Sequence, residues 1–465
     1  MRLLFVNAVG AIGGAERVLL TMIDSLRKLD RRLEIFLIVG THGALIEAAE
    51  ALGVTVVCLP LPQPINRFGD SGARSRFLKF KLLLKVGFAL PEFLDYRKRF
   101  HRLIQKIQPD LIHSNSIKTH LLLAALPRIQ APIVWHIHDF YQSRPVVARI
   151  LQWAQSSAVY AIAVSNAVAK DAKSLLPRVP IGVVYNAVPP CLIRSVVPNP
   201  SVNATNPRPL NPPFWETLKP VTVLTSKEIL HSKSPTRGEF RGLPRSVALK
   251  DQSGITHSTV QIGLVATFAR WKGHDVFLRA AAQVVRELPG VPMQFLIVGA
   301  PIYQTQGSQY SIAELQAGVA RLGLDRFVQF IGFQSDPAAI YEALDIVVHA
   351  STQPEPFGLV IAEAMSFGKA VIVSYAGGAA ELITPEYDAI AVLPKDVDAI
   401  AQAMIRLIQK PEERERLGQN AKRTALERFN SDRLGSELLE VYRRCGLEEC
   451  SIRFVADPPR NGIRG

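Results

Sequence analysis

Gln353-Pro354-Glu355-Pro356-Phe357-Gly358-Leu359-Val360-Ile361-Ala362-Glu363-Ala364-Met365, followed by Ala376-Gly377-Gly378-Ala379-Ala380-Glu381, is the stretch around which the chain is organised. It sets two carboxylates eight residues apart, the first in a Pro/Gly turn and the second inside an apolar helical run. Eight helical residues rise by ~12 Å, so Glu355 and Glu363 can line one face of a cleft. Pro356 and Gly358 suit a helix entry, which places Glu355 near an N-terminus, where backbone N–H groups and the helix dipole favour an anion. Such a pair can hydrogen-bond the hydroxyls of a polyol. It can equally be two solvated residues of an amphipathic helix. Spacing alone does not separate the two readings, so the rest of the chain must.

The residues leading up to this stretch alternate between strand and helix. Val260–Ala266, Met293–Val298, Val328–Ile331 and Ile346–His349 read as strands, and Asp275–Glu287, Ser311–Leu322 and Asp336–Ala343 as helices. Val371–Ser374, Ile390–Val392 and the helix Asp398–Gln409 continue the pattern. The first half has the same alternation. Residues 2–7, Leu33–Val39, Val54–Leu59, Leu111–His113, Ile133–His138, Ala161–Val164 and Gly182–Tyr185 read as strands with helices between them, the first of these helices over Val18–Leu29. The pattern predicts α/β architecture with two doubly wound parallel sheets whose ligands bind at the strands' carboxyl ends. Ser165 is expected to cap the helix Asn166–Leu176.

Residues 189–258 differ in kind. They hold eleven of the 32 prolines and show little periodicity, so they read as a disordered linker insert between the halves. The expected domains are 1–188, the insert 189–258, and 259–429, with a helix at 430–450 returning to the first half and a flexible tail at 451–465. Between Ile65 and Lys106 lie eleven Lys/Arg, interleaved with Phe77, Phe80, Leu83 and Leu84 at helical spacing. That pattern fits an anionic membrane surface or a charged acceptor, and also a solvated helix packing its apolar face on its own domain.

At 465 residues, two domains are expected. The net charge of +14 favours an anionic partner. Four scattered cysteines form no C-x-x-C pair, which fits a reducing, cytoplasmic compartment rather than a disulfide framework or zinc site. No apolar run reaches the ~18 residues of a membrane span. Met1–Asn7 reads as a first strand and not as a signal peptide.

Several motifs lie at strand ends. Gly10…Gly13-Gly14 lets backbone N–H groups approach a phosphate. A dinucleotide site would need an acidic residue closing the second strand, where Val39-Gly40-Thr41-His42 stands instead, so NAD is not expected. Arg270 and Lys272 in Ala269-Arg270-Trp271-Lys272-Gly273 suit a diphosphate, Arg as a fork and Lys as a point charge. His136 and His138 fall on one side of their strand, and either can face the cleft. With Asp139 they raise the question of a metal, but no third ligand cluster is near in sequence and no metal is expected. In Asp396-Val397-Asp398, Asp398 reads as an N-cap. The basic residues lack the strand aromatics of an RNA-binding sheet, so no nucleic-acid partner is expected.

Taken together, the chain resembles the retaining family 4 (group 1) glycosyltransferases of the GT-B fold. The resemblance rests on Glu355-Pro356-Phe357-Gly358…Glu363 with Gly377-Gly378…Glu381, and on Gly13-Gly14-Ala15-Glu16-Arg17, Val164-Ser165, Tyr185-Asn186 and Lys272-Gly273 in the family's order. It implies two Rossmann-like domains facing a central cleft, and a nucleotide-diphosphate sugar donor held mainly by the second. Glu363 would bind the ribose hydroxyls and Glu355 those of the transferred sugar. Lys272 would neutralise the diphosphate, with Gly14 approaching it from across the cleft. Phe357, Gly358, Leu359, Gly377 and Gly378 would line the donor, and His138 would stand near the reacting centre. The acceptor would be a glycan or lipid-linked hydroxyl, and no cofactor is implied. One departure stands out. The family's Gly-Arg after the first strand of this domain is Ala266-Thr267 here, and Arg270 is expected to supply the missing charge. Phosphorylase or epimerase chemistry, and a silent nucleotide-sugar-binding module, are the alternative readings.

Overall fold

The computed structural model describes residues 1–62, 76–127, 129–188, 249–250, 256–257, 259–301, 307–334 and 337–446, with backbone only for 76–90, 249–250 and 256–257. The expected linker insert, apart from four of its residues, and the expected tail lie outside the described residues.

The first half contains β1 (Arg2–Asn7), α1 (Gly14–Leu29), β2 (Glu34–Val39), α2 (Ala44–Ala51), β3 (Thr55–Cys58) and α3 (Arg76–Ile107). Next come β4 (Leu111–Ser114), α4 (Ile117–Ala124), β5 (Ile133–Ile137), α5 (Pro145–Ala154), β6 (Tyr160–Ala163), α6 (Asn166–Leu175) and β7 (Ile181–Val183). These seven strands are parallel in the order β3-β2-β1-β4-β5-β6-β7. After a two-residue antiparallel pair, β8 (Leu249–Lys250) with β9 (Thr256–His257), the second half begins with β10 (Val260–Val265).

It continues with α7 (His274–Glu287), β11 (Met293–Val298), α8 (Ile312–Arg321), β12 (Val328–Gly332), α9 (Pro337–Ala343) and β13 (Ile346–His349). Then follow α10 (Leu359–Ser366), β14 (Ala370–Ser374), α11 (Ala379–Leu382), β15 (Ile390–Val392), α12 (Val397–Gln409), α13 (Pro411–Arg428) and α14 (Asp432–Arg444). Its sheet is also parallel, in the order β12-β11-β10-β13-β14-β15. Central strands such as β5 and β14 are buried along their whole length, because helices cover both faces of such a sheet. In each sheet the order reverses beside the first strand, at β1/β4 and at β10/β13. Ligands of doubly wound sheets bind at that reversal.

A single apolar cluster runs from Leu4, Val6 and Trp135 of the first sheet to Val347 and Val371 of the second. The last helix, α14, lies on α1, with Leu434, Leu438 and Tyr442 at i, i+4 and i+8 buried against it. Close approach is set by Gly435, where an added Cβ would lie 2.8 Å from the Ser25 carbonyl oxygen. The Gly435 N–H donates to Ser25 Oγ, which donates in turn to the Ser431 carbonyl.

Some boundaries differ from the sequence expectation. Helix α1 begins at Gly14 because Glu16 reaches back to accept from the Gly13 N–H at 3.1 Å. The N-cap of α12 is Asp396, which accepts from Ala399 N–H, whereas Asp398 accepts from Gln283. In α3, Tyr96, Phe100, Ile104 and Ile107 are buried in the first domain's core. The apolar face of that part of the basic segment therefore packs inward, and residues 63–75 lie outside the described residues. No helix among the described residues is long and apolar enough to cross a membrane.

Candidate functional site

Strand β13 ends at His349 and the chain runs through Ala350–Gly358 before α10 begins. Glycines hold this loop against the turn after β14. Gly377 (φ +67°) sits where an added Cβ would be 2.6 Å from the Glu355 carbonyl oxygen, and at Gly378 it would be 2.0 Å from the Pro356 oxygen. The Gly378 N–H donates to the Glu355 carbonyl at 2.6 Å. The Glu355 backbone is thus pinned from behind, with its carboxylate directed to the end of β10.

There the Lys272 ammonium donates to both carboxylate oxygens at 2.8 Å, and Nζ lies 4.0 Å from the Trp271 ring centre. Ser351 Oγ donates to the same carboxylate at 2.9 Å, and His349 Nε2 lies 3.2 Å from it. Burial alone would push the Glu355 carboxyl up, but the Lys272 charge and the His349 contact hold it well below the usual carboxylate range. The helix dipole is not its anchor, since α10 starts four residues later. Nor are the two glutamates on one helix. Their separation is set by the Gly358 turn (φ +100°), a conformation that favours glycine.

Glu363, on α10, is 1% exposed at its side chain. It accepts from Tyr341 Oη at 2.7 Å, and Arg17 of α1 approaches it from the first domain at 2.5 Å. The loop around Glu355 meets the first domain as well, through Ser165 Oγ donating to the Pro356 carbonyl at 2.7 Å. Glu381 closes the same interface. Its carboxylate accepts from the N–H groups of Asn166 (2.8 Å) and Ala167 (2.6 Å) at the start of α6, and from Tyr185 Oη at 2.8 Å. An acidic side chain at a helix N-terminus satisfies otherwise orphaned donors. Glu381→Ala is therefore expected to loosen the closed arrangement, costing about 1–3 kcal/mol for the unpaired donors. Small-angle scattering of the ligand-free variant should show a larger radius of gyration, and an unchanged radius would exclude this latch.

On the first domain, His138 Nε2 donates to Asn115 Oδ1 at 2.9 Å. Asn115 Nδ2 donates to Asn7 Oδ1 (3.0 Å), and Asn7 Nδ2 donates to Glu16 Oε1 (3.1 Å). This chain of side chains, all from the carboxyl ends of β1 and β4 or the first turn of α1, fixes the ring and its tautomer. Burial pulls the His138 imidazole down to about 4, so the ring is neutral at physiological pH. A parallel string joins Tyr442 Oη to His113 Nδ1 (2.8 Å) and His113 Nε2 to His136 Nδ1 (3.1 Å). His136, His138 and Asp139 therefore turn to different partners, with Asp139 3.2 Å from Arg144.

Gly14 borders open space: among the described residues, nothing beyond its own neighbours and helix backbone lies within 4 Å of the point a Cβ would occupy. Packing does not require glycine there.

Three of the residues expected at the donor are engaged by the chain itself. Arg270 does not join Lys272. Its guanidinium donates to Glu314 at 2.6 Å and to the Gly307 carbonyl at 3.0 Å, and lies 4.4 Å from the Tyr310 ring centre. The reason is local: Glu314 belongs to the capping turn of α8, and a fixed carboxylate next to an exposed arginine takes its fork. Phe357 is 3% exposed and packs between Tyr185 and Phe429, so its ring serves the contact between the halves. Leu359 packs partly buried against the cores of both halves. Arg17, Tyr341, His349 and Ser351 were absent from the expected site. A histidine closing a strand at the cleft was the available signal for His349, and nothing local marks Tyr341.

Residues 12–190 match the family model described as Glycosyltransferase Family 4, and residues 248–424 match Glycosyl transferases group 1. A D-inositol 3-phosphate glycosyltransferase of Corynebacterium urealyticum is 30% identical over 192 residues, 41% of this chain and 44% of that protein. An alpha-D-kanosaminyltransferase of Streptomyces kanamyceticus is 27% identical over 206 residues, 44% of this chain and 50% of that protein. The chain thus spans about half, or less, of the length of these relatives. The Anabaena HepE structure in complex with UDP-glucose matches with a TM-score of 0.66 at 22% identity, over 96% of this chain and 100% of that one, a likeness of fold. With one family model on each half, and two parallel-sheet domains meeting at the Glu355 loop and the Glu363 helix, the chain belongs to the family 4 (group 1) glycosyltransferases of the GT-B fold.

Proposed function

We propose that the protein transfers a sugar, with retention, from a nucleotide-diphosphate sugar to a hydroxyl of a glycan or lipid-linked acceptor. The observation that carries this reading is the Lys272–Glu355 pair at the end of β10, a cation and a carboxylate pinned side by side by Gly377 and Gly378. Departure of the nucleotide diphosphate leaves the sugar oxocarbenium-like and the leaving oxygen negative. A preorganised ammonium at that oxygen stabilises the transition state more than the ground state. Glu355, ionised throughout the neutral range, accepts hydrogen bonds from the transferred sugar, and Glu363 accepts from the ribose. Neutral His138 is a hydrogen-bonding partner for the sugar rather than a proton carrier. Attack comes from the face the diphosphate leaves, and the departing phosphate oxygen takes the acceptor's proton. The net charge of +14 fits an anionic acceptor or surface.

Relatives named as glycosyltransferases, and a neighbour of similar fold in complex with UDP-glucose, support the donor class. A thermal-shift panel of UDP-, GDP- and ADP-sugars tests it. Ligand at 100 times its Kd adds about 2.7 kcal/mol of stability, which one base should produce and the others should not. No shift with any of them would overturn the donor assignment. A β-linked product from an α-linked donor, read by NMR, would overturn retention.

A further inference from the structure

Each carboxylate assigned to a donor hydroxyl is already paired with a cation. Glu355 holds Lys272 of its own domain, and Glu363 holds Arg17 of the other. Glu363 is 1% exposed, so it cannot shed Arg17 to water without leaving a buried, uncompensated charge. A ribose diol placed on Glu363 supplies neutral donors in its place and releases the guanidinium beside the nucleotide. The diphosphate must lie between the ribose at Glu363 and the sugar at Glu355, and each of its phosphates brings a negative charge. Lys272 answers one. Among the described residues of the second domain, Thr267 stands where the resemblance implies an arginine, and Arg270 is turned to Glu314.

We propose that Arg17, reaching across from the first domain, is the second diphosphate-binding cation, exchanging from Glu363 to the donor's phosphates when the ribose takes its place. The inference rests on the donor-site reading above. It makes the first helix of the acceptor-side domain part of the leaving-group site, so that the leaving-group charge is fully compensated only when the domains are closed. Arg17 is one-third exposed at its side chain and already meets the second domain at Glu363, and its helix starts at Gly14, whose Cβ position is open. An arginine is suited to it, since a guanidinium offers a planar fork to either a carboxylate or a phosphate.

The test is isothermal titration of the full chain with uridine and UDP, or with the nucleoside and diphosphate of whichever base the thermal panel selects. In Arg17→Ala the diphosphate should bind at least about ten-fold more weakly while the nucleoside binds as well or better, since its competitor for Glu363 is gone. Turnover should fall by about a hundred-fold. Arg270→Ala should stay within about two-fold of wild type on all counts. An unchanged ratio of diphosphate to nucleoside affinity in Arg17→Ala, or a collapse of that ratio in Arg270→Ala, overturns the proposal. If Arg17→Ala folds poorly because Glu363 is left unpaired, the same ratio is read in Arg17→Met combined with Glu363→Gln, where no buried charge remains. Nucleoside affinity undiminished in Glu363→Gln alone would instead overturn the ribose assignment itself.

Discussion

Lys272→Ala is expected to lower kcat/KM by about two to three orders of magnitude, the loss typical of removing one preorganised group from a developing negative charge. The Lys272 side chain is 17% exposed and its ammonium is bonded to both Glu355 oxygens at 2.8 Å, so no water replaces it without reorganising the site. Part of the damage will be structural. Removing one partner of a largely buried pair costs up to about 3–5 kcal/mol, because the carboxylate left behind is desolvated. The sign of the pH dependence separates the two effects. In the wild type the Glu355 carboxyl lies below its ordinary value of 4.5, so its contribution is complete above that value and fades only as the pH falls further. Without Lys272, burial dominates and the folded-state carboxyl moves up. The variant is then penalised most near neutrality and recovers as the pH falls toward 4.5. The gap in Tm between the two proteins should narrow from pH 7 toward pH 5, as thermal melts across that range would record. Adding Glu355→Gln to Lys272→Ala should restore Tm at neutral pH and leave the activity lost. A constant gap in Tm would mean that the pair is not coupled as described, and unchanged kcat/KM would remove Lys272 from the leaving-group site.

Gly273→Ala should be as damaging, through the backbone. Gly273 has φ +77°, and an added Cβ would lie 1.9 Å from the Ala350 carbonyl oxygen. A left-handed conformation costs an L-residue roughly 1–2 kcal/mol, and the overlap adds roughly 1–3 kcal/mol for whatever shifts to relieve it. The residue that moves belongs to one of two loops, that of Lys272 or that of Glu355, because Ala350 leads into Ser351 and the Glu355 turn. A loss of about 3 kcal/mol or more in denaturant unfolding is expected, together with a fall in kcat/KM approaching that of Lys272→Ala. Gly14→Ala is the informative contrast. Nothing among the described residues meets a Cβ there, so stability should hold while any loss of activity reports the approach of a ligand. Wild-type stability and turnover in Gly273→Ala would show that the two loops are not locked together at this point.

Much of the fold was legible because it follows from local patterns. Buried runs of Val, Ile and Leu alternating with amphipathic helices dictate parallel α/β halves. Ser165 in front of an apolar helical run names its own cap, confirmed by its acceptance of the Val168 N–H. Misassigned edges came from side chains acting one turn away. Glu16 reaching back to Gly13 draws the start of α1 to Gly14, and Asp396, not Asp398, takes the capping position of α12. In the candidate site, spacing left Glu355 and Glu363 open between a hydroxyl-binding pair and solvated helix residues, and it was the motif order shared with the family, with Lys272 following the strand, that singled them out. Arg270 turns to Glu314 instead of standing beside Lys272, because sequence proximity to Lys272 says nothing of a carboxylate 44 residues further on.

What the sequence determined by itself is therefore the two doubly wound halves, the glycine turns between them and the carboxylates and lysine at the strand ends. These are set by short-range periodicity and by backbone conformations that only particular residues adopt. Pairings across long separations were decided by tertiary structure alone: Lys272 with Glu355, Glu381 with the start of α6, and Arg17 with Glu363. Each brings together groups whose charges or hydrogen-bonding needs are complementary only once two distant loops or two domains are packed. No pattern along the chain encodes such a meeting, because its energy comes from burying both partners in the same place.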